Sequence, residues 1–218
     1  MKRILTIDDL IIESRYFSDR ISQIYHPKLV GVTDGKAVGT YIEQQFQEFL
    51  SYNYYLDVGN SAKGIDLPGE HIMTDIKATS IKQPQSSCPF KSAYQKIYGL
   101  GYNLLVFVYE KFDIGTTCKL NIINCTFIEK NKSADYMTTK RIIEMLKDGA
   151  IKEDIIAFLQ DRNVPGDEII HNELASYIIS NPPTQGYLTI SNALQWRLQY
   201  TRVINLHNKI QGIYNYDR

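Results

Sequence analysis

Residues 103–109 read Asn-Leu-Leu-Val-Phe-Val-Tyr, a nearly continuous apolar run. A half-exposed strand alternates apolar with polar residues, whereas a strand covered on both faces reads as an unbroken run of this kind. Cover on both faces requires layers above and below the sheet. The strands and helices expected around this run therefore point to an α/β fold, a mixed central β-sheet flanked by helices. With 218 residues, 44% of them hydrophobic and 22% charged, the chain has the material for one such core plus an extension.

The remaining pattern agrees with that layering. Thr6-Ile-Asp-Asp9 is a helix start with a hydroxyl cap and acids in the first turn, and Leu10, Phe17, Ile21 and Ile24 carry the helix to about Tyr25. A second helix is expected over 37–52, burying Val38, Ile42, Phe46 and Leu50. Tyr54–Val58 reads as a strand. A hairpin follows, with 64–67 entering, Pro68-Gly69 turning and 71–79 leaving. Residues 81–89 read as a loop, 90–100 as a helix, and 103–109 and 120–127 as strands. After Lys130 the texture becomes helical, with segments at 136–148, 151–162 and 167–180 and a last helix starting near Ser191. We therefore expect a core domain over 1–130 and a helical extension over 131–218.

Charge narrows the choice of partner. The totals balance, 24 basic against 24 acidic residues, yet no acid occurs from Ile76 to Tyr109 or from Leu174 to Tyr216. Each window is locally positive and suits a phosphate backbone. No apolar run has the length of a membrane span, and the N-terminal segment turns acidic where a signal sequence stays apolar, so a cytoplasmic protein is expected. Cys88, Cys118 and Cys125 have no metal-ligand spacing, and neither do the four histidines.

The chemistry concentrates in residues 64–80, GIDLPGEHIMTDIKATS. Positions i and i+2 of a strand share a face, so Asp75 and Lys77 project together. A tight turn at Pro68-Gly69 brings Asp66 across to Asp75. Two facing carboxylates repel unless a cation lies between them, and an all-oxygen ligand set suits magnesium. Lys77 is then placed to orient or deprotonate a water, or to stabilise charge on a phosphate. About two carboxylate-x-lysine triplets arise by chance in a chain of this composition, and there are two. Asp34-Gly-Lys36 sits in a glycine-rich turn without a second acid. Asp75-Ile-Lys77 has strand context and a hairpin partner. Asp57 is a competing acid, but no lysine stands at the right spacing from it.

Asp66, a short hairpin and Asp75-Ile-Lys77 resemble the PD-(D/E)xK motif of type II restriction endonucleases. The helix GTYIEQQFQEFL (39–50) resembles the family's first core helix, whose acidic position matches Glu43, and LLVFVYE matches the following core strand. The resemblance covers about residues 36–128 and departs at Ile65, where the motif has proline. It implies a magnesium-dependent, sequence-specific DNA endonuclease. Asp66, Asp75 and the Ile76 carbonyl would bind the metal, Lys77 would position the attacking water, and Glu43 would hold a water or a second ion.

DNA contacts are expected from two places. Lys82, Gln83, Gln85, Ser86, Ser87 and Lys91 lie in or beside the polar loop after the active-site strand. Gln195, Gln199 and Arg202 share one face of the expected last helix, and such side chains pair bidentately with adenine and guanine edges. One site cuts one strand, so a homodimer on a palindromic duplex is expected, with the first helix as a dimer element. Two alternatives stand beside this reading: a junction resolvase or repair nuclease on the same core, and a non-catalytic regulator using 151–162 and 167–180 as a helix-turn-helix. The acids of those two segments suit a recognition helix poorly.

Overall fold

The computed structural model describes residues 2–57, 59, 64–89, 91–191, 196–206 and 208–218. In chain order its elements begin with β1 (Arg3–Ile4), α1 (Ile7–Gln23), α2 (Gly35–Ser51), β2 (Tyr54–Tyr55), β3 (Thr74–Ser80) and β4 (Gln85–Cys88). Then come α3 (Tyr94–Tyr98), β5 (Asn103–Ile114), β6 (Thr117–Ile128), α4 (Tyr136–Lys147), α5 (Lys152–Asp161) and α6 (Glu168–Ser180). The last are β7 (Thr189–Ile190), β8 (Trp196–Gln199), α7 (Thr201–Ile204) and β9 (Ile213–Asp217). Two compact units share these elements: residues 1–85, 102–128 and 203–218 form one, and 86–101 with 129–202 form the other. No helix among the described residues is long and apolar enough to cross a membrane.

The first unit is built on a mixed sheet of order β3-β5-β6-β9, with β3 parallel to β5 and the other neighbours antiparallel. Leu104 to Val108 are fully buried on both faces of β5, as the apolar run requires. Helix α1 starts on a capping box in which the Thr6 hydroxyl accepts the Asp9 N–H at 3.1 Å and the Asp9 carboxylate accepts the Thr6 N–H at 3.2 Å. Its Leu10, Phe17 and Ile21 join Ile42, Phe46 and Leu50 of α2 and the β5–β6 side chains in one core. Phe17, Phe46 and Phe107 meet there with centroids 5.0–5.5 Å apart.

The closing strand β9 lies outside the sequence expectations, although Ile213-Tyr-Asn-Tyr is rich in strand-forming side chains. It pairs with β6 and is tied to α1: the Tyr216 hydroxyl and the Arg218 Nε donate to the Asp19 carboxylate at 2.9 and 2.8 Å.

The second unit holds α3 to α6 around Ile97, Ile142, Ile155, Leu159, Leu174 and Ile178. It also holds a three-stranded sheet of order β4-β8-β7. Asp135 joins the helices to this sheet, one carboxylate oxygen accepting the Thr138 N–H that caps α4 and the other the Ile190 N–H of β7, both at 2.8 Å. Two expectations are corrected here. The segment after Ser191 is not a long helix: residues 196–199 form strand β8, and only the short α7 is helical. The loop at 81–89 likewise contains strand β4. Leu194/Leu198 and Gln195/Gln199 fit a helical period, but Trp196, Leu198 and Tyr200 fit a period of two equally well, and sheet pairing decides.

Candidate active site

Strand β3 lies at the edge of its sheet, so alternate backbone groups face away from β5. Three of the outward N–H groups find partners. Thr74 donates to the Leu67 carbonyl at 2.9 Å, Ile76 donates to Asp66 Oδ2 at 2.8 Å, and Ala78 donates to the Glu43 carboxylate. Asp66 and Glu43 are thereby fastened along one edge. The N–H and C=O of a strand residue point to the same side, so the Ile76 carbonyl faces that edge as well.

The hairpin that delivers Asp66 is narrow. Leu67 and Thr74 exchange the two hydrogen bonds of a single antiparallel bridge, which sets Asp66 opposite Asp75. The Gly69 carbonyl accepts from both Ile72 and Met73, and Met73 adopts a positive φ of 35° as the chain turns into β3. Asn103 holds this turn from β5: its Nδ2 donates to the Ile72 carbonyl at 2.7 Å and its N–H to the Met73 carbonyl at 2.8 Å.

Helix α2 delivers Glu43. One turn earlier, a Cβ on Gly39 would lie 3.1 Å from the Ala78 carbonyl oxygen, so the helix backbone rests almost directly on β3. Asp34, in the other carboxylate-x-lysine triplet, has a different task. It caps α2 by accepting the Lys36 N–H at 3.0 Å. Asp57 lines a separate surface hollow with Ile4, Tyr55 and His71.

Electrostatics bind the four groups into one site. Lys77 Nζ lies 2.8 Å from Asp75 Oδ2. Burial is the main force on Asp75 and pushes its carboxyl up to about 7, with a hydrogen bond and charge from Asp66 adding to the rise and Lys77 opposing it. Glu43 is also raised, first by burial and then by Asp66, against Lys77 and the Ala78 N–H. Burial pulls Lys77 down, but Asp75, Asp66 and Glu43 outweigh it and hold the ammonium charged above its ordinary range. Among the described residues, three carboxylates thus face one ammonium in a largely buried site. A divalent cation would supply the missing positive charge, and the hard oxygen donors of Asp66, Asp75 and the Ile76 carbonyl are of the kind that would suit magnesium. Among the described residues, no three His, Cys, Asp or Glu side chains are grouped to hold a metal by themselves.

The residues expected at DNA are more scattered. Lys82 and Gln83 are exposed in the turn after β3. The Thr79 hydroxyl shapes that turn, accepting the Gln85 N–H and approaching its carbonyl, both at 3.1 Å. Gln85 opens β4, Lys91 is exposed in the second unit, and Gln199 is exposed on β8. Gln195 lies outside the described residues. The Arg202 guanidinium lies over the Tyr136 ring at 3.9 Å, with Nε buried and without a hydrogen-bond partner among the described residues. Sequence reasoning missed Gly39, Asn103 and Thr79. Gly39 alone left a sign, a glycine inside a helix one turn before the acidic candidate.

Core and site together define a nuclease of the PD-(D/E)xK class, with its acid, acid-x-lysine and helical acid on one strand edge. The family model described as Type II restriction enzyme NspV matches residues 4–215. A relative, Type II restriction enzyme NspV of Nostoc sp. (strain ATCC 29411 / PCC 7524), is 54% identical over 212 residues, 96% of each chain. The chain belongs to the NspV family of type II restriction enzymes. No solved structure matches it.

Proposed function

We propose that Asp66, Asp75, Lys77 and Glu43 are the cutting centre of a magnesium-dependent endonuclease acting on double-stranded DNA. As a type II restriction enzyme the chain is a site-specific deoxyribonuclease. The observation that carries the assignment of the centre is the meeting of Asp66, Ile76, Asp75 and Lys77 at the open edge of β3.

The reaction is attack of water on phosphorus, forming one P–O bond and breaking the ester bond to the leaving oxygen. Magnesium, when held by Asp66, Asp75 and the Ile76 carbonyl, supplies Lewis acidity and charge neutralisation at the phosphate. Lys77, 2.8 Å from Asp75, is placed to orient or deprotonate the attacking water or to hold phosphate charge. Asp75 and Glu43 keep its ammonium in place.

One such site cuts one strand. A homodimer with two-fold symmetry would set two sites on a palindromic duplex and cut both strands. The same reading places the enzyme in the cytoplasm, with the DNA it cuts. The test is incubation of phage DNA with the protein in magnesium, calcium or chelator. Discrete bands in magnesium alone are expected, and an unspecific smear or cutting in chelator would count against it.

A further inference from the structure

Two chain segments with no acidic residue supply all three strands of the small sheet in the second unit: β4 from one, β7 and β8 from the other. Its inner side is apolar and packed, with Trp196, Leu198, Tyr200, Cys88 and Ile190 buried. Ser86 joins that side through a hydrogen bond to the Tyr200 hydroxyl at 2.5 Å. Strand alternation therefore turns the opposite set outward. Ser87, Arg197 and Gln199 are exposed, and Thr189, in register with Gln199, is half-buried. Among the described residues of these strands, this outer face carries no acid and no large apolar group. Among the described residues no carboxylate pairs with Arg197, and the Gln199 amide is bound to no other side chain.

We infer that this face reads bases in the major groove of the DNA target, with Arg197 and Gln199 as specificity residues. The inference rests on the nuclease reading above and deepens it. An exposed arginine without a counter-ion suits a polyanion. Arginine matches the O6/N7 edge of guanine and glutamine the N6/N7 edge of adenine, and a β-ribbon fits the major groove. A strand rises about 3.3 Å per residue, close to the roughly 3.4 Å step of the duplex. Along the groove, Arg197 and Gln199 would thus meet base pairs about two steps apart. The packed underside holds them rigid, because Trp196, Leu198 and Tyr200 anchor the backbone on either side of each.

The experiment begins with wild-type protein and phage DNA in magnesium, sequencing the cut ends to define the target. Arg197→Ala, Arg197→Lys and Gln199→Ala are then assayed for cleavage on the target duplex and on every single-base-pair substitution of it. Each variant is expected to lose about ten- to a hundredfold on the target and to lose discrimination at its own symmetry-related base pair. Arg197→Lys keeps the charge but not the bidentate fork, so it too should relax preference. Thermal melts should match wild type, since both side chains are exposed. An equal loss on every duplex would reduce these residues to phosphate contacts and overturn the inference, as would unchanged rates and preference. If wild type cuts no DNA at the first step, the nuclease reading itself falls and this inference with it.

Discussion

Lys77 has Asp75 at 2.8 Å, and the charges of Asp66 and Glu43 act on it as well. Removing its side chain takes away the positive charge that, among the described residues, acts on Asp75 and Glu43. Lys77→Ala is expected to lower the cutting rate at least about a hundredfold, while DNA binding in calcium persists, since the metal ligands remain. Single-turnover cleavage beside a calcium binding titration checks both halves. Glu43→Gln keeps the shape but removes a charge facing Lys77, and a loss of about tenfold or more is expected in the same assay. A rate equal to wild type would make Glu43 a mere tether for the Ala78 N–H. At this scale the sequence was informative. Asp66, Asp75 and Lys77 could be expected together, because spacing on a strand and a turn translates directly into which side chains share a face, whereas Glu43 came from the resemblance of its helix to the family's first core helix. Asn103 was not, because its role depends on β5 lying beside the turn before β3, a contact across 31 positions.

Helix α2 and strand β3 approach closely only because residue 39 has no side chain. Gly39→Val inserts atoms where 3.1 Å is already available for only one carbon, so the helix must move away from β3 and take Glu43 with it. The expected result is a drop in cleavage of at least about tenfold, with a lowered melting temperature showing the strain. Helix α1 gives a separate test. Thr6→Ala removes the hydroxyl that caps it and should cost about 1 kcal/mol in denaturant unfolding. Asp9 is slightly desolvated, which raises its pKa, but its hydrogen bonds from Thr6 and its ion pair with Arg3 win and hold it below its ordinary 3.8. A carboxyl depressed in the folded state adds stability above its unfolded value, and that addition is lost as pH falls from about 4 downward. Wild type should therefore lose part of its margin over Thr6→Ala in acid, and an unchanged margin would contradict the capping box. Helices and the central strand were legible because they are long and periodic. Strands β4 and β8 were not. Gln85-Ser-Ser-Cys has no β-branched side chain, and each strand of four residues depends on partners distant in sequence, β4 on β8 and β8 on β4 and β7.

For the whole molecule, the balanced net charge conceals the two acid-free windows, and the structure uses them twice. One runs through β3 and into β4, while the other supplies β7 and β8. That both windows end in one small sheet could not be read from their local patterns, since the pairing partners are about a hundred residues apart. The proposed homodimer sets one cutting site on each strand of the duplex. Sedimentation should give a homodimer at working concentration, and a monomer that only nicks supercoiled DNA would contradict the two-fold arrangement. The central claim is that the edge of β3 cuts DNA with a divalent metal, and one gel tests it most directly. Wild type and Asp75→Ala are incubated with phage DNA in magnesium, in calcium and in chelator, with circular dichroism confirming that the variant is folded. The account predicts discrete fragments from wild type in magnesium alone and at least about a hundredfold less from Asp75→Ala. Equal fragments from the folded variant, or from wild type in chelator, would contradict it.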